Sequence, residues 1–513
     1  MEVKFEREAF RKYSNADYFE KIVNIETIPE LLNHLKDNYL GLNAIGKEDG
    51  SIATFDEFLT DVNKVCYYLH SNGVEKGKHI GVLATNSYSF AIASIGIMAY
   101  GAVAVLLPFQ LDKTIIFGCS KKYNLSGLLY VSSANEKLEL IQNNGLLLGN
   151  IENIIQLNPD ISYVNENVNK DDSACIIMTG GTTGRSKGAV LSHDALMCGM
   201  INGGYGLDDL MHEVYYCLIP LTHVFGFIRN LLTSLYTGSC IFFNQDKRLM
   251  FNELKQFKPT GLVIVPALAE LFLNLIKAYG FDMVGGKLRF IICGAASVPP
   301  YLINEYHKLN VNFCAGYGLT EFANMVSGNP EGLRKPDSVG LLYPGQVAKV
   351  VNGELWLKGR NMLKEYYNEP EENKLAFEDG WFKTGDLVRF DEENFLYIVG
   401  RAKDVIVLSN GENVSPAYIE SKINQLPFIQ DSLVTEATNE LGAQILQAEV
   451  VLRASVVKGL GLEGEELQKF VIQKVLSINE ELLDYERFAK VIIRTEDFPR
   501  TPAMKIIRPK KVY

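Results

Sequence analysis

Short apolar runs rich in valine and isoleucine recur along this chain, alternating with amphipathic stretches, and this alternation restricts the fold more than any other feature. His79–Ala84, Ala102–Leu107, Ser173–Met178, Leu262–Val265 and Leu288–Cys293 read as strands buried on both faces. Thr54–Asn72 and Pro266–Tyr279 between them carry the spacing of helices with one apolar side. Buried strands separated by helices indicate an α/β architecture with a largely parallel sheet. At 513 residues, 47% of them hydrophobic, the chain is too long for one compact domain.

The pattern changes near residue 400. Gly353–Leu357, Trp381–Phe382 and Phe395–Val399 read as short strands joined by turns, and the charged segment Gly400–Asp404 serves as a connection. Ser415-Pro416 is a helix start, with Ser as cap and Pro in the first helical position. A large N-terminal domain over residues 1–401 is therefore expected, made of α/β lobes and this strand-rich part. A small α+β domain over 402–513 follows it.

Residues 89–107 carry no charge and approach membrane-spanning length, but Gly101 matches a helix terminator and Val103, Val105 and Leu107 alternate as in a strand. A buried helix followed by a buried strand is the better reading. Met1–Glu8 is charged and has no apolar core, so it is not a secretory leader. The eight cysteines are scattered singly, mostly in apolar runs, and no CxxC occurs, which fits free thiols in a reducing cytoplasm. The seven histidines lack metal-ligand spacing. The net charge of −11 opposes nonspecific nucleic-acid binding but leaves room for a local nucleotide site.

The segment Met178–Gly188 (MTGGTTGRSKG) lies between a buried strand and a helix beginning near Ser192. Gly180, Gly181 and Gly184 let backbone amides approach a ligand, Thr179, Thr182, Thr183 and Ser186 add hydroxyls, and Lys187 adds a mobile cation. Together these suit a polyphosphate. The GxxxxGK[ST] template fails, because Gly184 precedes Arg185 and Lys187 precedes Gly188. The segment resembles the phosphate loop of the adenylate-forming superfamily: acyl- and aryl-CoA ligases, peptide-synthetase adenylation domains and firefly-type luciferases.

Four further segments follow in the order of that superfamily. Tyr317-Gly318-Leu319-Thr320-Glu321 resembles its YGxTE motif, which implies Tyr317 against adenine, Gly318 as a further cofactor-binding residue, Thr320 on the α-phosphate, and Glu321, together with Thr179, on Mg²⁺. Trp381–Asp386 resembles WxxTGD and implies Asp386 as acceptor for the ribose hydroxyls. Gly400–Asp404 and Ser409–Pro416 resemble the hinge and its following loop. They imply Arg401 as a ribose and phosphate contact, Lys403 as the hinge residue and Gly411 as the glycine that admits pantetheine. Phe498–Ile506 resembles PRTxxGK, with Lys505 as the adenylation lysine and Met504 in place of the usual glycine. One ammonium touching both the attacking carboxylate and the phosphate screens their repulsion.

The resemblance implies a β-barrel-like subdomain within the large domain, a small C-terminal domain, 402–513, that is mobile, and two half-reactions. A carboxylate attacks the α-phosphate of Mg-ATP and releases pyrophosphate; coenzyme A then takes the acyl group and AMP leaves. Pro220–Gly226 resembles the PLxHxxG segment, with His223 bordering the acyl and pantetheine channel. No acidic residue occurs between Pro220 and Ser239, which argues against an amino-acid substrate. The pocket pieces His223–Phe227, Gly294-Ala295-Ala296 and Gly316–Leu319 are small and apolar, and a medium- or long-chain fatty acid is expected, with an aryl acid as the alternative. An acyl carrier protein as thiol acceptor, luciferase-type oxidation, a catalytically dead nucleotide scaffold and a homodimer all stay open at this point.

Overall fold

The computed structural model describes residues 2–4, 22–142, 145–165, 167–179, 186–204, 211–244, 246, 248–408, 412–439, 442–500 and 506–508. The expected apolar runs are strands. His79–Leu83 pairs in parallel with Val103–Leu106 and Leu125–Tyr130, and Val103–Leu106 pairs in parallel with Ser173–Thr179. Lys187–Ser192 and Glu365–Tyr366 extend this seven-stranded sheet antiparallel at one edge. A nine-stranded sheet has Val214–Cys217, Gly261–Ile264, Phe290–Cys293 and Asn312–Tyr317 side by side and parallel.

The uncharged stretch resolves as a helix and a strand. Tyr88–Tyr100 is helical because Ser87 caps it, its hydroxyl accepting from Phe90 N–H, and because Gly101 takes φ +92° to end it. The helix is apolar on every side and is buried along all but its last residue. Each large side chain it buries, such as Phe90 or Ile92, is worth roughly 1.5–3 kcal/mol, and a charge at Ile92 would break the packing. Among the described residues, no helix is long and apolar enough to cross a membrane.

The β-rich part is a six-stranded antiparallel sheet built from Glu2–Lys4, Gln346–Val351, Glu354–Gly359, Trp381–Phe390, Phe377–Glu378 and Leu396–Arg401. The last strand runs into the 3₁₀ turn Ala402–Asp404. Beyond it, Ile429–Thr438, Gln444–Leu452 and Lys490–Arg494 make a three-stranded sheet beside the helices Pro416–Ile423 and Gly464–Leu476. These elements share their own apolar core, with Ile419, Ile423, Ala448, Val450, Val471 and Val475 fully buried. The fold is thus a large mixed α/β domain followed by a smaller α+β domain. Ser415 stands at the cap position of Pro416–Ile423 but does not cap it: its hydroxyl donates to Val399 O at 2.5 Å, tying the helix start to the connecting strand.

Candidate active site

The glycine- and threonine-rich segment joins two paired strands rather than a strand and a helix. Thr179, at the end of Ser173–Thr179, faces Lys187 across an antiparallel hairpin, and the helix expected near Ser192 starts at His193 with Ser192 as its cap, directly after the second strand. The strand Lys187–Ser192 went unforeseen because its apolar positions span only Ala189–Leu191. Ser186 Oγ donates to Thr179 O at 3.0 Å and closes the hairpin. Gly180, Gly181, Thr182, Thr183, Gly184 and Arg185 lie outside the described residues.

Lys187 is not the unattached cation expected from sequence. Its ammonium pairs with Glu372 Oε2 at 2.5 Å and lies 4.8 Å from the centre of the Tyr366 ring. The cause is register: Tyr366 pairs with Ala189 on the neighbouring strand, which brings Glu372 of the following helix, Pro370–Ala376, over the hairpin. Tyr366 donates in turn to Glu321 Oε1 at 2.7 Å. Glu321 is also tied through its backbone, with Leu363 N–H donating to its carbonyl at 2.8 Å.

The segment Tyr317–Glu321 owes its shape to a close approach. Ala323 and Asn324 take φ +43° and +70° and fold the chain back, so a Cβ on Gly318 would lie 1.3 Å from Asn324 O. Only glycine fits. Thr320 opens the short turn Thr320–Phe322. Tyr317 Oη donates to Asp386 Oδ2, and Arg401 Nε meets Asp386 Oδ1 at 2.5 Å. Asp386 and Arg401 are cross-strand partners, so the sheet register sets their ion pair. Burial, then the Asp386 carboxylate, pushes the Tyr317 hydroxyl well above its ordinary pKa.

The Thr-Gly-Asp sequence works as a backbone device. Thr384 Oγ1 donates to Leu355 O at 2.7 Å and accepts from Asp386 N–H at 3.0 Å. That fixes Asp386, which is only 2% exposed, at the centre of the cluster. An ionised carboxylate offers about four lone-pair positions, and Tyr317 and Arg401 orient it.

Lys403 lies in the turn directly after Arg401. Burial and the nearby positive charges of Arg401 and Lys187 hold its pKa below the ordinary lysine value, against Asp404 and Asp386. Gly411 and Lys505 lie outside the described residues, but the flanks of Lys505 are described. Arg500 bridges to Ile506, Ile507 N–H donates to Pro499 O at 2.8 Å, and buried Phe498 packs with Leu433 and Val451. Residues 499–500 and 506–507 therefore run side by side. Arg508 then anchors them, meeting Glu420 with both Nη atoms and Asp404 at 3.6 Å through Nε. Neither Arg508 nor Glu420 stood out in the sequence, since a lone arginine beside other basic residues carries no local signal.

On the acyl side, Asn86 clasps the segment before His223: its amide donates to Ile219 O and accepts from Leu221 N–H, both at 2.8 Å. His223 Nδ1 accepts from Phe225 N–H at 3.2 Å, which leaves the ring proton on Nε2 in the neutral form. Gly226 is required, because a Cβ there would lie 2.2 Å from Pro220 O. A Cβ on Gly294 would lie 3.1 Å from Gly316 O and 3.7 Å from Phe225 Cζ, so these three expected pocket residues converge. Ala295 takes φ +65°, a strained value for a residue with a Cβ, whereas Ala296 is exposed. The helix that supplies Phe225 is not uniformly apolar, however: Arg229, on the same π-helix Phe225–Leu232, is 1% exposed. A single charge in an otherwise apolar run was the signal available for it.

Oxygen donors suited to magnesium are present. Mg²⁺ takes few protein carboxylates and completes its shell with phosphates and water, and the Glu321 carboxylate with the Thr179 hydroxyl fits that donor set.

The AMP-binding enzyme family matches residues 38–367, and the AMP-binding enzyme C-terminal domain matches residues 403–513. The chain is 27% identical over 478 residues to 4-coumarate–CoA ligase-like 8 of Arabidopsis thaliana, covering 86% of this chain and 83% of that protein. It is 26% identical over 503 residues to peroxisomal OPC-8:0-CoA ligase 1 of the same plant, covering 90% and 89%. The solved structure of the anthranilate CoA ligase AuaEII with anthranoyl-AMP superposes with a TM-score of 0.80 over 95% of this chain and 97% of that one, at 22% identity, a likeness of fold.

Proposed function

The chain belongs to the AMP-binding enzyme family, and from that premise we propose that it activates a carboxylic acid of apolar body as its acyl-adenylate and passes the acyl group to coenzyme A. CoA ligation of an acyl or aryl acid is the general activity of its relatives. A medium- or long-chain fatty acid is our reading of the acid, supported by the packing of Phe225 against Gly294. An aryl acid is the second reading, favoured by the 4-coumarate–CoA ligase-like relatives.

The observation that carries the proposal is the Tyr317–Asp386–Arg401 cluster. A buried carboxylate pre-oriented by a phenol and a guanidinium is built to accept from a vicinal diol such as ribose, with Arg401 close enough to meet the adjoining phosphate. Residues 180–187 cradle the polyphosphate, and Thr320 donates to the α-phosphate. Lys187 exchanges Glu372 for a phosphate oxygen when nucleotide binds. Glu321 and Thr179 hold Mg²⁺, which neutralises charge on the phosphates when bound.

The attacking carboxylate and the α-phosphate are both anionic, and Lys505 bridges them as the new bond forms. Residues 1–401 and 402–513 act as two bodies turning at Lys403, so that Lys505 serves adenylation and the Gly411 loop serves thiolysis. His223 lines the path by which the thiol reaches the acyl carbon. Eight free cysteines, seven of them buried, suit a reducing, cytoplasmic setting.

The test is pyrophosphate release from Mg-ATP over a panel of carboxylic acids, with and without coenzyme A, beside Lys505→Ala. Acid-dependent release in the wild type, lost in the variant while supplied acyl-adenylate is still thiolysed, is the expected result. A folded protein that binds ATP and releases nothing with any acid overturns the proposal.

A further inference from the structure

Arg229 is fully buried, and among the described residues its Nη1 and Nη2 have no hydrogen-bond partner and no carboxylate within ion-pair distance. Desolvating a guanidinium without an anion is costly, and such groups persist where a ligand completes them. A second donor stands beside it. The ring of Tyr215, a residue with no exposed surface, lies 5.7 Å from the guanidinium, and its hydroxyl has that guanidinium as its neighbour and no carboxylate or carbonyl partner among the described residues.

The position of Arg229 ties it to the acyl pocket. Phe225, one turn earlier on the same helix, touches the Gly294–Gly316 level. On the strand Asn312–Tyr317, Cys314 shares a face with Gly316 and lies two residues deeper, about 7 Å at the usual rise. The Arg229 charge reaches that depth. Burial pushes the Cys314 thiol up to about 11, with Asn329 N–H and Arg229 opposing the rise, and burial likewise raises Tyr343 against Arg229. Gly203 makes room for the arginine stem, since a Cβ there would lie 3.0 Å from Arg229 Cδ.

We propose that Arg229, with Tyr215, receives a second carboxylate at the closed end of the acyl pocket, so that the substrate is a dicarboxylic acid with an apolar middle. Both groups are donors here, and the guanidinium fork matches a carboxylate in two-point fashion. Phe225 covers the middle of the acid, and the distal carboxylate takes no part in bond making. The inference rests on the adenylation reading and replaces a plain fatty acid with one charged at its far end.

The experiment measures kcat/KM for pyrophosphate release by the full chain with straight-chain dicarboxylic acids and monocarboxylic acids of matched length, in wild type, Arg229→Met and Arg229→Lys. The expected wild-type preference for the best diacid is about 100-fold or more, since a site built for a polar group rejects analogues that leave it unpaired. Arg229→Met collapses that ratio by a similar factor, and Arg229→Lys, which keeps the charge but not the fork, retains part of it. A wild-type preference for the monoacid, or a ratio unchanged in Arg229→Met, overturns the inference while leaving adenylation intact. If neither variant folds, the wild-type ratio decides alone. Absence of release with every acid overturns both readings together.

Discussion

Replacing Asp386 with Asn tests the proposed ribose contact. The side chain keeps its shape, Thr384 still fixes the backbone, and Tyr317 Oη can still donate to the remaining carbonyl oxygen. The pair with Arg401 is lost, but Arg401 is 44% exposed, so the structural cost stays near 1 kcal/mol or below. Binding should suffer more. A hydrogen bond to a charged group is worth about 1.5–3 kcal/mol against about 0.5–1.5 for a neutral one, a difference of about 1 kcal/mol per hydroxyl. Two ribose hydroxyls give about 2 kcal/mol, or roughly 30-fold in Kd at 1.4 kcal/mol per decade. The assay is calorimetric titration of wild type and Asp386→Asn with ATP and with 2′,3′-dideoxy-ATP, which lacks both hydroxyls. Wild type should prefer ATP, and that preference should shrink about 30-fold in the variant. Equal discrimination in both proteins would refute the ribose assignment, whatever happens to overall affinity.

Gly318→Ala must drive a Cβ into Asn324 O, and a backbone oxygen cannot swing aside; a loss of about 3 kcal/mol or more is expected, read as a lowered Tm together with lost nucleotide binding. Burial pushes the His193 imidazole down to about 4, with Asp172 opposing and Lys76 adding to it. Between pH 4 and 6.5 the unfolded chain therefore binds the extra proton, so stability is full above about 6.5 and falls by up to about 3 kcal/mol as pH drops to 4; denaturant titrations of His193→Leu should show a shallower acid slope. Arg453 of the small domain pairs with Glu270 of the large one at 2.6 Å and stacks on Tyr301 at 4.7 Å. Arg453→Ala should expose the connection near Ala402–Asp404, raising its rate of limited proteolysis by about tenfold, and an unchanged rate would remove that contact from any role in holding the two parts together.

The strands and helices were legible because each is specified within a few residues: apolar runs bounded by turn formers, Ser87 and Thr54 at helix starts, Gly101 at a helix end. The order of motifs from Met178 to Lys505 was equally a property of the chain. Local reading failed where the outcome was pairing. Lys187 and Glu372 are 185 residues apart, and only the register of Tyr366 against Ala189 brings them together. Ser415 had the sequence of a cap, yet Val399 O, sixteen residues away, offered its hydroxyl a better partner.

The chain by itself therefore determined its two-part α/β and α+β design, the nucleotide chemistry of its motifs and the absence of an acidic residue to hold an amino-acid substrate. Tertiary structure alone decided that Tyr317, Asp386 and Arg401 form one cluster, and that Arg229 lies buried rather than reaching solvent, with no anion beside it among the described residues. The physical reason is range. Periodicity and capping act over one turn or one pleat, whereas the partner of a charge depends on which strands neighbour each other and in what register.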